Sequence, residues 1–117
     1  MKHHKKQRKF GRVRKVRVAL LRSLVRSIVL EEKIETTIAK ARELRPIIEK
    51  YITLAKKDSL ASRRLITSRL GNDQEVSKKL HEVIAPRYKE RAGGYTRISK
   101  LGTFADAKRD KAVIEFV

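Results

Sequence analysis

The sequence predicts an α/β chain of the α+β kind, with four helices and three short strands behind a basic amino-terminal extension. Three observations carry that reading. Apolar residues recur at three- and four-residue steps in four separate segments between residues 15 and 85. Three short β-branched runs alternate in polarity, one ahead of the second helix and two near the end of the chain. The first thirty residues carry eleven Lys and Arg and no Asp or Glu, while the remainder holds twenty basic and thirteen acidic side chains. The net charge of +18 therefore divides into +11 and +7.

Residues 1–14 are mostly Lys, Arg, His and Gln, too polar to bury a core, and are expected to be a tail that is disordered when free. Residues 15–117 are expected to form a single globular domain. Its first helix spans 15–30, where Val18, Leu21, Val25 and Ile28 make a stripe widened by Leu20, Leu24 and Val29. A strand fails there because Leu20-Leu21 would put apolar residues on both faces. On a helical wheel, Lys15, Arg22 and Arg26 fall within roughly 40° of one another, opposite the Leu stripe and beside the small Ala19 and Ser23. No acid appears before Glu31, so this face lacks the Glu–Lys pairing of an ordinary solvated helix.

Residues 33–38 predict a strand, after which Thr37 caps a helix over 39–57 that buries Ala41, Leu44, Ile48, Tyr51 or Ile52, and Ala55. Pro46 should kink or restart that helix, since it has no N–H to donate. A third helix begins at Asp58 or Ser59 and runs through Leu70, with Leu60, Ala61 and Leu65 on one side, Arg63, Arg64 and Arg69 elsewhere, and Gly71 as its stop. Asn72 and Glu75 predict a capping box for the fourth helix, whose apolar positions are Val76, Leu80, Val83 and Ile84 before Pro86 ends it. His81 is expected on its surface. A basic loop over 86–94 then leads through Gly93-Gly94 into a strand over 95–101, and 112–117 supplies a strand able to pair antiparallel with it. The connection 102–111, with Lys108, Arg109 and Lys111, is either a loop ordered by a partner or plain surface variability.

A dense one-sign block calls for an anionic partner, and a nucleic acid backbone is the natural one, because Lys and Arg release its condensed counterions. A membrane surface would need an apolar face or a lipid anchor, and Met1-Lys2-His3-His4 lacks the Gly of a myristoylation signal. The longest apolar stretch, 18–30, is broken by Arg22 and Arg26, so neither a spanning helix nor a secretory signal is expected, and the cytoplasm is the default. Without Cys there is no disulfide framework and no thiolate metal site. His3-His4 is too short a cluster, and His81 too isolated, to predict a metal; no cofactor is implied.

Catalysis finds no footing. No Ser or Cys stands against a base, Gly93-Gly94 lacks the Lys-Ser or Lys-Thr of a P-loop, and the acids are scattered beside Lys and Arg. An enzyme is not expected. A helix-turn-helix could centre on Leu70-Gly71-Asn72, but the Asp73-Gln74-Glu75 start of its second helix would repel a DNA groove. A basic arm that orders along phosphates of several helices suits irregular folded RNA better.

Specific blocks then carry a resemblance. Thr36-Thr37, Lys40-Ala41-Arg42-Glu43-Leu44-Arg45, Ile52-Thr53-Leu54-Ala55-Lys56, Arg63-Arg64-Leu65, Ala92-Gly93-Gly94-Tyr95-Thr96-Arg97-Ile98 and Ile114-Glu115-Phe116-Val117 resemble the L-seventeen family of bacterial large-subunit ribosomal proteins almost end to end. The resemblance implies helices packed on a small three-stranded sheet, a basic extension that penetrates large-subunit ribosomal RNA, and a structural role supporting translation. Neighbouring large-subunit ribosomal proteins would be the other partners, near the polypeptide exit. The tail departs from the family at Arg8-Lys9-Phe10-Gly11-Arg12 and Val13-Arg14-Lys15-Val16-Arg17, so individual tail contacts transfer least.

The RNA-binding candidates follow. Lys2, His3, His4, Lys5, Lys6, Arg8, Lys9, Arg12 and Arg14 would meet phosphates, with Phe10 a wedge against a base or ribose, or a residue docked on the protein itself. Lys15, Arg22 and Arg26 would extend that surface along a rigid helix, with Arg63 and Arg64 added from the third helix. Arg97 would contact phosphate, and Tyr95 would either stack on a base or pack in the sheet. A DNA-compacting protein is the alternative, and an RNA-modifying enzyme subunit a more distant one.

Overall fold

A computed structural model of the protein describes residues 13–102 and 110–117. Helix α1 (Arg14–Glu31) begins without a side-chain cap and ends at Glu32, whose left-handed backbone (φ 65°) turns its N–H back to the carbonyl of Ile28. Only the second half of α1 is buried, at Val25, Ile28 and Val29. Its first turns are largely exposed, Val16 and Val18 at 49% and 37%, so the predicted stripe is core only from Val25 onward.

Strand β1 (Lys33–Thr37) leads directly into α2 (Ile38–Lys56), where the Thr37 hydroxyl accepts from the Lys40 N–H as the sequence predicts. Helix α2 is the central helix of the domain. Ala41, Leu44, Ile48, Tyr51, Ile52 and Ala55 are all buried on its inner face. The helix runs through Pro46 without restarting, because Pro46 lies on the exposed side where a lost N–H bond leaves its carbonyl partner to water.

Helix α3 (Leu60–Arg69) is held by a reciprocal cap between Ser59 and Ser62, and it departs from the predicted face. Ser62 and Ile66 point inward, whereas Leu60 and Leu65 are 63% and 40% exposed. Ser62 satisfies its hydroxyl against the Ser59 backbone, so the capped end can be buried while two leucines stay outside. Beyond Gly71, Asn72 takes up a left-handed turn (φ 65°) and the cap of α4 (Gln74–Lys79) falls to Asp73, which accepts from the Val76 N–H, not to Asn72.

The fourth helical segment widens after α4 into a π-helical turn (Leu80–Ile84) and closes with α5 (Ala85–Arg87), so Pro86 is followed by one more helical residue. The extra residue per turn rotates the faces, which a 3.6-residue period cannot foresee. Leu80, His81, Ile84 and Ala85 turn inward, and Val83 is left 42% exposed. His81 is therefore a buried residue and not a surface one. Its Nδ1 donates to the Ser77 carbonyl at 2.8 Å, and its Nε2 has no partner among the described residues.

Strands β2 (Thr96–Lys100) and β3 (Lys111–Phe116) complete an antiparallel sheet of order β1-β3-β2. The register aligns Ile34, Ile114 and Ile98 in one row, and Ala112 and Ile114 are fully buried. The opposite face places Glu115 between Lys33 and Arg97, which pair with it at 3.9 and 2.8 Å. The helices lie on the inner face as a single core that joins α1, α2, α4 and the sheet.

Glu32 closes the corner where α1, β1 and the fourth helix meet: Lys79 pairs with its carboxylate at 3.2 Å and Arg87 hydrogen-bonds it. The Arg87 hydrogen bond holds this carboxyl below the ordinary Glu value of 4.5, against burial, with Lys79 reinforcing it. A depressed folded pKa contributes stability that is present above 4.5 and lost as pH falls through the lower folded value. Glu32→Gln should therefore lower thermal stability near pH 7, by no more than about 1 kcal/mol since the pairs are part-exposed. The gap from wild type should close on acidification, as followed by melting curves across pH.

Candidate nucleic-acid interface

The first turn of α1 presents Arg14 and Lys15 to solvent, where the predicted basic tail meets the helix. Residues 1–12 lie outside the described residues, so the candidates from Lys2 to Arg12 and Phe10 have no geometry to report; most of the 102–111 connection lies outside them too. Further along α1, the expected row of Lys15, Arg22 and Arg26 divides. Arg26 reaches across to the start of α4, where its Nη1 and Nη2 donate to Asp73 and Glu75 at 2.6 and 2.8 Å. The Asp73 hydrogen bond foremost holds it still more firmly protonated. Arg22 turns to the end of α3, with its Nε donating to the Arg69 carbonyl at 3.0 Å.

Other candidates also meet acids. Arg63 grips Asp58 through Nε and Nη2 at 2.9 and 2.6 Å, and Arg97 grips Glu115 at 3.2 and 2.8 Å. Exposed pairs of this kind are weak because water screens them, so a phosphate exchanges readily for either carboxylate. Arg64 has no such partner among the described residues and borders a polar depression of about 350 Å³ with Thr67, Ser68, Asn72 and Gln74. Lys15, Arg22 and Arg64 thus keep cationic donors available, while Arg26, Arg63 and Arg97 hold theirs against carboxylates.

Tyr95 is decided in favour of packing. Only 2% exposed, it packs against the Tyr88 ring at 5.2 Å between centroids and takes a hydrogen bond from Lys56 Nζ at 3.0 Å. That bond lowers its phenol below the ordinary range in spite of burial. A ring so enclosed offers no face to a base. Arg69, in the last turn of α3, borders the same depression as Arg22, a placement that no motif in the sequence marks.

Among the described residues no cluster of three or more His, Asp or Glu could hold a metal ion, and no helix is long and apolar enough to cross a membrane. Helices on one side of a small sheet, a first helix whose amino-terminal turns expose Arg14 and Lys15 and an acid-free first thirty residues define a small basic scaffold of the kind that binds nucleic acid. The chain belongs to the ribosomal protein L17 family, which its residues 20–117 match. It is similar to large ribosomal subunit protein bL17 of Sulfurihydrogenibium sp., 49% identical over 119 residues that span all of this chain and 97% of that protein. The bL17 proteins of Zymomonas mobilis and Hydrogenobaculum sp. are 52% and 50% identical, over all of this chain and 83% and 99% of their own lengths. The family is structural and non-enzymatic, as the sequence leads one to expect.

Proposed function

We propose that this protein is a structural constituent of the large ribosomal subunit, binding and stabilising its RNA in the cytoplasm and so supporting translation. The observation that carries the reading is end-to-end similarity, at about half identity, to proteins of that subunit. In mechanism, residues 1–14 neutralise phosphates as an arm, and residues 15–117 form the domain that anchors it. Arg14, Lys15 and Arg22 continue the arm's charge along α1, and Arg64 offers a second contact from α3. Arg26, Arg63 and Arg97 engage RNA by exchanging a carboxylate for a phosphate. The exposed Leu60 and Leu65 suit contact with a neighbouring ribosomal protein.

Fractionation tests this directly. The protein should co-sediment with large subunits after washing in high salt, since an integrated component is held by many phosphate contacts at once. Recovery only in nuclease-sensitive DNA fractions would show a DNA-compacting protein instead.

A further inference from the structure

We infer that Arg22, Arg69 and Tyr51 form a phosphate-binding site, in which one phosphodiester of ribosomal RNA sits between the two guanidiniums and its nucleoside lies in the apolar slot beside them. The inference rests on the RNA reading above and names a site within it. The slot opens between α1 and α2, with a volume of about 260 Å³, and Val18, Leu21 and Ile47 line it together with those three residues.

The placement of the two arginines is what calls for an anion. Arg26, Arg63, Arg87 and Arg97 all pair with carboxylates, yet Arg22 and Arg69 share one slot and neither has a carboxylate partner among the described residues. Both lie close enough to Tyr51 to oppose the upward push that burial gives its phenol. Two like charges at one slot repel, and a single anion between them turns that repulsion into attraction.

Arg22 is also held in place. Its Nε donates to the Arg69 carbonyl, which leaves both Nη groups to a ligand, and its guanidinium lies over Gly71. A Cβ at Gly71 would stand 3.3 Å from Arg22 Nη1, and the backbone there (φ +69°) already favours glycine. A fixed guanidinium fork matches phosphate oxygens in pairs, and the phenol adds a hydroxyl donor. An apolar wall beside a cationic pair suits a nucleoside joined to its phosphate. Arg69 also borders a second groove, of about 690 Å³, that runs along α2 past Lys50 and Leu54, but Glu49 and Tyr95 line that groove too, so the phosphate is placed on the α1 side of Arg69.

The test uses the full chain and a transcript of large-subunit ribosomal RNA, with affinity measured over a range of salt. Arg69→Gln is the informative variant because the Arg69 side chain makes no hydrogen bond within the described protein, and an unchanged melting temperature verifies the fold. It should bind about tenfold more weakly, with a salt slope shallower by about one. Arg69→Lys should keep the slope and lose part of the affinity, since charge survives and the fork does not. The Arg22→Gln and Arg69→Gln pair should lose less than the product of the single losses, because both serve one phosphate. Wild-type affinity and slope in Arg69→Gln, or strictly multiplicative losses in the pair, would overturn the site. If the wild-type chain binds the transcript with a steep slope in those cases, the site alone fails; if the wild type does not bind, the RNA reading itself fails.

Discussion

Removing residues 1–12 is expected to weaken RNA binding about a hundredfold near 0.1 M salt and to make its salt slope shallower by about four to five. The segment holds six Lys and Arg side chains and no acid, and each phosphate it neutralises releases a condensed counterion. The truncation spares Val13 and Arg14, where α1 begins, and the core described here draws its first member from Val25. Circular dichroism and melting temperature should therefore match the full chain. Binding isotherms across salt provide the measurement, and an unchanged slope would remove the arm from the mechanism. Loss of folding would mean that the arm belongs to the domain.

The second large effect is on stability. Tyr95→Ala should lower the free energy of unfolding by about 3–5 kcal/mol, a large share of the roughly 5–15 kcal/mol of a domain this size. The ring fills space against Tyr88, and its hydroxyl joins Lys56 and the Arg91 carbonyl, tying the loop before β2 onto α2. Tyr95→Phe keeps the packing and loses only those hydrogen bonds, so its effect should be about 1 kcal/mol. Denaturant melts measure both. RNA affinity of the folded fraction should stay at the wild-type value in each; a loss of affinity at full stability would instead mark a base-stacking residue.

What could be read from the sequence was local. The inner face of α2 is legible at Ala41, Leu44, Ile48 and Ala55, because a 3.6-residue period with one dominant apolar stripe leaves little choice of side, while Tyr51 and Ile52, left as alternatives by that period, are both buried. The three strands announce themselves through β-branched alternation, and Thr37 marks its cap by type and place. Errors arise where a local signal has a competitor. Asn72 and Asp73 are both good caps, and the left-handed turn at Asn72 hands the role to Asp73. The π-helical turn shifts His81 inward and Val83 outward, and nothing in a regular period announces one. On α3 the leucine side looked like the core, but the serine cap and Ile66 face it.

The candidate site was legible as charge but not as partnership. Counting Lys and Arg shows where an anion is wanted, and the solvent-facing Arg14 and Lys15 agree with that count. The count cannot tell that Arg26 meets Asp73 and Glu75, which lie 47 and 49 residues away, or that Arg97 meets Glu115 across the sheet. Those pairings depend on how elements dock. The same non-local docking gathers Arg22 and Arg69, 47 residues apart, at one slot. The central place of β3 is likewise beyond a reading that pairs only neighbours in sequence.

The most direct test of the account is ultraviolet crosslinking of this protein to RNA in intact large subunits, with the crosslinked peptides identified by mass spectrometry. Crosslinks to large-subunit ribosomal RNA are expected to concentrate within residues 1–26, with a further set at Arg63, Arg64, Arg69 and Arg97 and none at Tyr95. Crosslinks confined to the solvent face of the sheet around Ser99 and Val113, with residues 1–26 free of RNA, would contradict it.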